Sequence, residues 1–120
     1  MTLCFSLFQI CDILNLDTNM KNTFDVCIDK GTYDAISLHQ DHSKEMRLQY
    51  RQSLFDLLKP VSEGSPSLFF ITSCNWTEDE LKAFFSPLFK LKTVLPTPTF
   101  QFGGQSGKTV TSIVFEKTKI

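Results

Sequence analysis

A chain of 120 residues with 42% hydrophobic content has material for one core and not for two. Its formal charge of −1 offers no electrostatic case for binding nucleic acid or an anionic membrane surface. Cys4, Cys11, Cys27 and Cys74 form no CxxC pair, so reduced thiols in a cytoplasmic protein are expected, with the nucleus left open as a compartment.

Met1 to Ile10 is apolar and uncharged, but it lacks the basic flank and cleavage site of a signal peptide. It is also too short to span a bilayer, and no membrane partner is expected. Leu7 to Leu14 reads as a strand interrupted by Asp12, and Asp17 to Thr23 as a polar turn. The first clear strand is Phe24 to Ile28, within FDVCIDKGTYDA, which closes on an acid, a base, a glycine and a second acid. Polar residues at the carboxyl end of a buried strand are where ligands sit in open α/β sheets, so a functional loop is expected there.

Ser43 can cap a helix with Glu45 in its first turn, and Met46, Tyr50, Leu54, Leu57 and Leu58 recur at helical spacing as far as Lys59. Pro60 stops it. A Ser/Gly/Pro loop leads to a second strand, Leu68 to Ser73, whose LFFITSCNWT again releases polar residues at its end. The two strands and the intervening helix predict one βαβ unit with a shared crevice. Thr77 and Glu80 fit a capping box ahead of the stripe Leu81, Phe84, Phe85 and Leu88, which Pro87 ends. Phe89, Leu91, Thr93 and Leu95 alternate, as do Thr111, Ile113 and Phe115. This predicts two antiparallel strands flanking a loop from Pro96 to Lys108. Twelve phenylalanines imply a large apolar area to cover.

Several motifs carry no chemistry. GGQSGKT, 103–109, has its leading glycine one residue too close for a P-loop, and a β-patterned run follows where a helix is required. His39 and His42 flank Asp41 in a polar loop with no second ligand pair elsewhere, so no metal is expected. Cys74 has nothing beside it in sequence to lower its pKa. Asn75-Trp76-Thr77 matches a glycosylation sequon, a pattern common by chance and without meaning in a cytoplasmic chain.

Asp29 to Ala35 together with Ile71 to Thr77 resembles the carboxyl-terminal half of the seven-strand S-adenosylmethionine-dependent methyltransferases. The resemblance is closest to the elongation factor 1-alpha lysine methyltransferases of the methyltransferase-like group. It runs from about Ile10 to the end and includes PTPTFQFGGQSG, similar to that family's Pro/Phe/Gly hairpin before its last strand. The implied fold is α/β: a Rossmann-like class I methyltransferase sheet, amino-terminally truncated, with strand four onward and strand three as a further candidate, ending in an antiparallel β-hairpin. Residues 1–120 then form a single partial domain, with 1–23 a divergent start and 24–120 the carboxyl-terminal half.

The resemblance implies roles by position. Asp12 and Ile13 match the acidic-then-apolar pair that holds the adenine of S-adenosyl-L-methionine. Asp29 matches the acid beside the methionine part of that cofactor and the incoming lysine. Lys30, Gly31, Thr32, Tyr33 and Asp34 complete the motif on the substrate side, and Asn75 and Trp76 close the crevice from the fifth strand. Asp29 and Asn75 are the candidate catalytic residues, expected to face each other across one pocket. For Lys30 and Asp34, a turn-stabilising ion pair stands beside a substrate role. The implied protein substrate is elongation factor 1-alpha.

The chemistry suits such residues. A lysine with a pKa near 10.4 must lose its proton to attack, which costs about 4.6 kcal/mol at pH 7, and a desolvated aromatic pocket reduces that cost. Tyr33, Trp76 and Phe102 are candidate walls, and Asp29 can orient donor and acceptor.

One departure sets the limit. The family's glycine-rich turn after the first strand and the ribose-binding acid after the second have no counterpart, since every glycine lies at Gly31 or later. A full domain at about 30 residues per βα unit needs on the order of 180 to 200 residues. In the family's sheet order, 3-2-1-4-5-7-6, loss of strands one and two leaves strand four as an apolar edge open to self-association or another partner. Two other readings stay open. One is a non-catalytic remnant or partner-binding α/β module; the other is an unrelated α/β protein, favoured if the two motif loops lie at opposite ends of the sheet.

Overall fold

The computed structural model describes residues 9–62, 65–96, 99–103, 105–108 and 110–119, of which 99–102 and 105–108 are described by their backbone alone. In chain order the elements are a 3-10 turn (Thr18–Met20), β1 (Val26–Lys30), α1 (Thr32–Ser37), α2 (Ser43–Leu57), β2 (Leu68–Ser73), α3 (Glu78–Phe85), β3 (Phe89–Leu95), β4 (Thr99–Phe102), β5 (Gln105–Lys108) and β6 (Thr111–Lys117).

Four strands form one sheet in the order β1-β2-β6-β3. β1 and β2 are parallel, as a helical crossover requires, while β6 runs antiparallel to both β2 and β3. With β1 as the family's strand four, this is the 4-5-7-6 portion of the expected sheet. β4 and β5 pair as a separate two-stranded hairpin, as the resemblance of PTPTFQFGGQSG implies and where alternation alone left a loop.

Period-two alternation decides which side is core. Cys27 sits opposite Phe69 and Phe69 opposite Phe115, and the next row in register is Asp29, Ile71 and Ile113. These rows face the helices. Phe69, Phe85, Phe89 and Phe115 meet there with ring centroids 5.2 to 6.4 Å apart, so part of the large phenylalanine content is spent on sealing α3 to the sheet. Tyr50 and Leu54 of α2, Tyr33 and Ile36 of α1 and Leu81 of α3 complete the cluster. Lys117 ends β6 with its amine 2.7 Å from the carbonyls of both Phe55 and Leu58, which places a cation at the carboxyl end of α2.

Four local expectations change. Residues 9–14 contain no strand; Asp12 instead accepts the Leu14 N–H at 3.0 Å, and its carbonyl accepts the Asn15 N–H, a local turn that competes with extended pairing. Leu7 and Phe8 lie outside the described residues. β1 starts at Val26, so Asp29 and Lys30 belong to the strand, and Phe24 makes only an isolated bridge to Leu58. Thr32–Ser37 is a helix where a loop was expected. Ser43 is the first residue of α2 and not its cap: the cap is His42, and the Ser43 hydroxyl donates to the Ser37 carbonyl. The Thr77–Glu80 capping box forms as anticipated.

Candidate functional site

The turn from β1 into α1 is built by Gly31 and Asp29. Gly31 has φ +100°, a left-handed conformation that a side chain resists, and it reverses the chain within one residue. Asp29 then accepts the N–H groups of Thr32 at 2.8 Å and Tyr33 at 3.0 Å, two donors that the first turn of a helix leaves unpaired. Its second oxygen also accepts the hydroxyl of Tyr50. Only 4% of Asp29 is exposed, and these three donors satisfy its buried oxygens.

Asp34, on the first turn of α1, performs the matching task toward β2. It accepts the Ser73 hydroxyl and, at 2.8 Å, the Cys74 N–H. The same Ser73 oxygen accepts the N–H groups of Asn75 and Trp76 at 3.2 and 3.0 Å. Trp76 returns the contact by donating its indole N–H to Ser37 at 2.9 Å. The two motif loops are therefore tied together at the carboxyl ends of neighbouring parallel strands, which removes the reading that placed them at opposite ends. Asp34 bonds to Ser73 and Cys74 and not to Lys30, whose side chain is exposed; the alternative of a turn-stabilising ion pair is not met among the described residues.

Among the described residues, Asp29 and Asn75 line separate cavities and not the single pocket expected. Asp29 lines a mostly apolar cavity of about 360 Å³ together with Ile13, Cys27, Thr32, Tyr50 and Leu54. Asn75 and Trp76 line another of about 300 Å³, with Ser73, Val94 and Thr111. Asp29 occupies the helix-facing row of β1, where Tyr50 and the α1 amides hold its carboxylate. Tyr33 is 1% exposed, packed among Tyr50, Trp76, Phe84 and Phe85 with centroids 5.2 to 5.8 Å away, so it is core and no pocket wall. Burial pushes its phenol pKa up, opposed by the hydrogen bond and charge of Arg47. Ile13 lines the same cavity as Asp29, while Asp12 is exposed and accepts the Leu14 N–H. The side chain of Phe102 lies outside the described residues.

Sequence reading misses the partners: helical spacing puts Tyr50 in the core stripe, and alternation makes Ser73 only a strand end. Arg47 and Arg51, stacked beside Trp76 and Phe84, also escape it. Their signal is present, since neither has an acid three or four residues away along α2.

No protein-family model matches the chain. It is 48% identical over 110 residues to EEF1A lysine methyltransferase 2 of Danio rerio, covering 92% of this chain and 45% of that protein. It is 51% identical over 106 residues to the Homo sapiens protein of the same name, covering 88% of this chain and 42% of the relative. The chain is homologous to these lysine methyltransferases over about half of their length. A more distant match, 37% identical over 117 residues, is Protein-lysine N-methyltransferase EFM4 of Saccharomyces cerevisiae, covering 94% of this chain and 48% of that protein. The chain thus spans about half the length of the curated relatives it matches. A SAM-dependent methyltransferase from Methanosarcina mazei superposes with a TM-score of 0.66 at 13% identity, over 94% of this chain and 68% of the other, and so shares its fold.

Proposed function

We propose that this chain supplies the substrate-side half of an S-adenosylmethionine-dependent protein-lysine N-methyltransferase acting on elongation factor 1-alpha. The observation that carries this is the coincidence of 48–51% identity to EEF1A lysine methyltransferases with a β1-β2-β6-β3 sheet whose motif loops are joined at one end. The compartment we assign is the cytoplasm, on the cysteine usage alone.

The residues present fit one part of the cofactor. The Asp29–Ile13 cavity offers an apolar wall and a buried carboxylate with three of its roughly four acceptor sites filled, leaving one for a donor on the ligand. No glycine-rich turn or ribose-binding acid is available from this sequence, so residues outside it complete the site in this reading, either contiguous in a longer chain or on a separate polypeptide. When bound, the sulfonium supplies the electrophilic methyl group. The chain's own contribution is orientation: Asp29 fixes the β1–α1 turn beside the cofactor cavity, and Asn75 and Trp76 line a second cavity on the loop tied to it. Where the residues outside this sequence close that cavity over a lysine side chain, exclusion of water lowers the cost of keeping its amine neutral.

Calorimetry with S-adenosylmethionine, alongside a lysine methylation assay on elongation factor 1-alpha, tests this reading. The chain alone is expected to bind cofactor weakly and turn over slowly or not at all; addition of the remaining half of a relative is expected to restore both. Absence of heat and product in the reconstituted mixture would reject it.

A second reading, a partner-binding module, is favoured by β1 itself. It is an edge strand with Ile28 79% and Val26 43% exposed on the side away from the helices. Self-association through that edge is its simplest form.

A further inference from the structure

Two arginines on α2 are held against aromatic rings. The Arg47 guanidinium lies 5.2 Å from the Trp76 ring centroid and 5.5 Å from that of Phe84, and Arg51 lies 4.8 Å from Phe84. Arg51 also donates to the Phe84 carbonyl at 2.6 Å. Stacking and this bond fix both planes, so little freedom remains to be lost on binding. Among the described residues neither guanidinium pairs with a carboxylate. The Nε atoms of both are buried without a hydrogen-bond partner. Glu80, at the start of α3, is occupied by the backbone and hydroxyl of Thr77. Like charges four residues apart on a helix repel, and a held, half-buried pair with no carboxylate in salt-bridge reach is an arrangement that an anion would relieve.

We infer that Arg47 and Arg51, on their Trp76–Phe84 platform, form a recognition site for the carboxylates of an acidic protein segment. A peptide is favoured over a polyphosphate because the ring faces of Trp76 and Phe84 lie beside both guanidiniums and offer apolar contact that side-chain stems can use and a polyphosphate cannot. The neighbouring indole offers apolar contact to the peptide's side-chain stems. The site adjoins the Asn75 cavity through Trp76 and does not depend on methyl transfer.

Trp76 is the chain's only tryptophan, so its emission reports on this patch directly. Titration of the folded chain with a hexaglutamate peptide at low salt is expected to give a saturable change in emission that added salt weakens and hexaglutamine does not produce. Arg47→Gln and Arg51→Gln, checked for folding by circular dichroism, are each expected to weaken binding at least about fivefold, the loss of one charge-assisted contact. No emission change with hexaglutamate, equal binding of hexaglutamine, or unaltered affinity in both folded variants would overturn the inference. So would tighter binding of inorganic phosphate or single-stranded DNA than of hexaglutamate. Should the variants fail to fold, the salt and hexaglutamine comparisons on the unmodified chain decide alone.

Discussion

The hydroxyl of Tyr50, midway along α2, donates to the carboxylate of Asp29, near the end of β1. This bond joins the crossover helix to the strand end that carries the family motif, across 21 residues of sequence. Burial and the Asp29 charge both hold the Tyr50 phenol in its protonated form far above the usual range, so it remains a donor at every accessible pH. Tyr50→Phe leaves Asp29 with its two backbone donors but one fewer partner for a buried charge. The expected cost is about 1.5–3 kcal/mol, read from the urea midpoint. Asp29→Ala should cost more, because the Tyr50 hydroxyl and two α1 amides then lose their acceptor. If both variants melt with the unmodified chain, the carboxylate is not the anchor described.

Gly31 is the second fixed point of that turn. A Cβ built there meets nothing within 4 Å, so the penalty of substitution comes from its φ of +100° and not from a clash. Gly31→Ala is expected to cost about 1–2 kcal/mol, and Gly31→Asn less, since asparagine tolerates left-handed backbone better. Equal midpoints for the alanine and asparagine variants would contradict a conformational origin.

Cys27 faces the helices from β1, and burial pushes its thiol up to about 11 from an ordinary value of 9.0. The unfolded chain ionises first as pH rises, while the native chain keeps its proton. Protons bound in the unfolded state are then fewer, so stability is undiminished below about pH 9 and falls between about 9 and 11. A urea midpoint measured across that window should decline more steeply for the unmodified chain than for Cys27→Ala. Iodoacetamide at pH 8 should label the exposed Cys11 and Cys74 well before Cys27.

The βαβ unit, the α3 capping box and the antiparallel last strands were legible because each depends on local pattern: alternation, helical spacing, or a cap three residues from its partner. The placement of β6 between β2 and β3 followed from resemblance, since alternation states that Ile113 and Phe115 face a core and not which strands flank them. Side-chain roles at the site were harder to read. Asp29, Tyr33 and Asp34 look like pocket residues when TYDA is taken as a loop. Once Gly31 turns the chain into α1, the same residues point inward, and their polar atoms go to the amides of Thr32, Tyr33 and Cys74. Partners 21 to 40 residues distant, such as Tyr50 for Asp29 and Cys74 for Asp34, leave no periodic trace.

The exposed face of β1 makes the last prediction. Ile28 is 79% exposed and Val26 43%, on a strand whose outer edge has no partner among the described residues. Such an edge pairs with any chain that offers an extended segment, and a lysine placed on it opposes that by like-charge repulsion and the cost of desolvating the amine. Sedimentation velocity of the unmodified chain is expected to reveal concentration-dependent association, and Ile28→Lys to shift it to monomer. Because Ile28 buries so little surface within the chain, the urea midpoint extrapolated to low concentration should move by less than about 0.5 kcal/mol. A chain that sediments as a monomer at high concentration would eliminate self-association through β1. Persistent association of Ile28→Lys would move the contact elsewhere on the molecule.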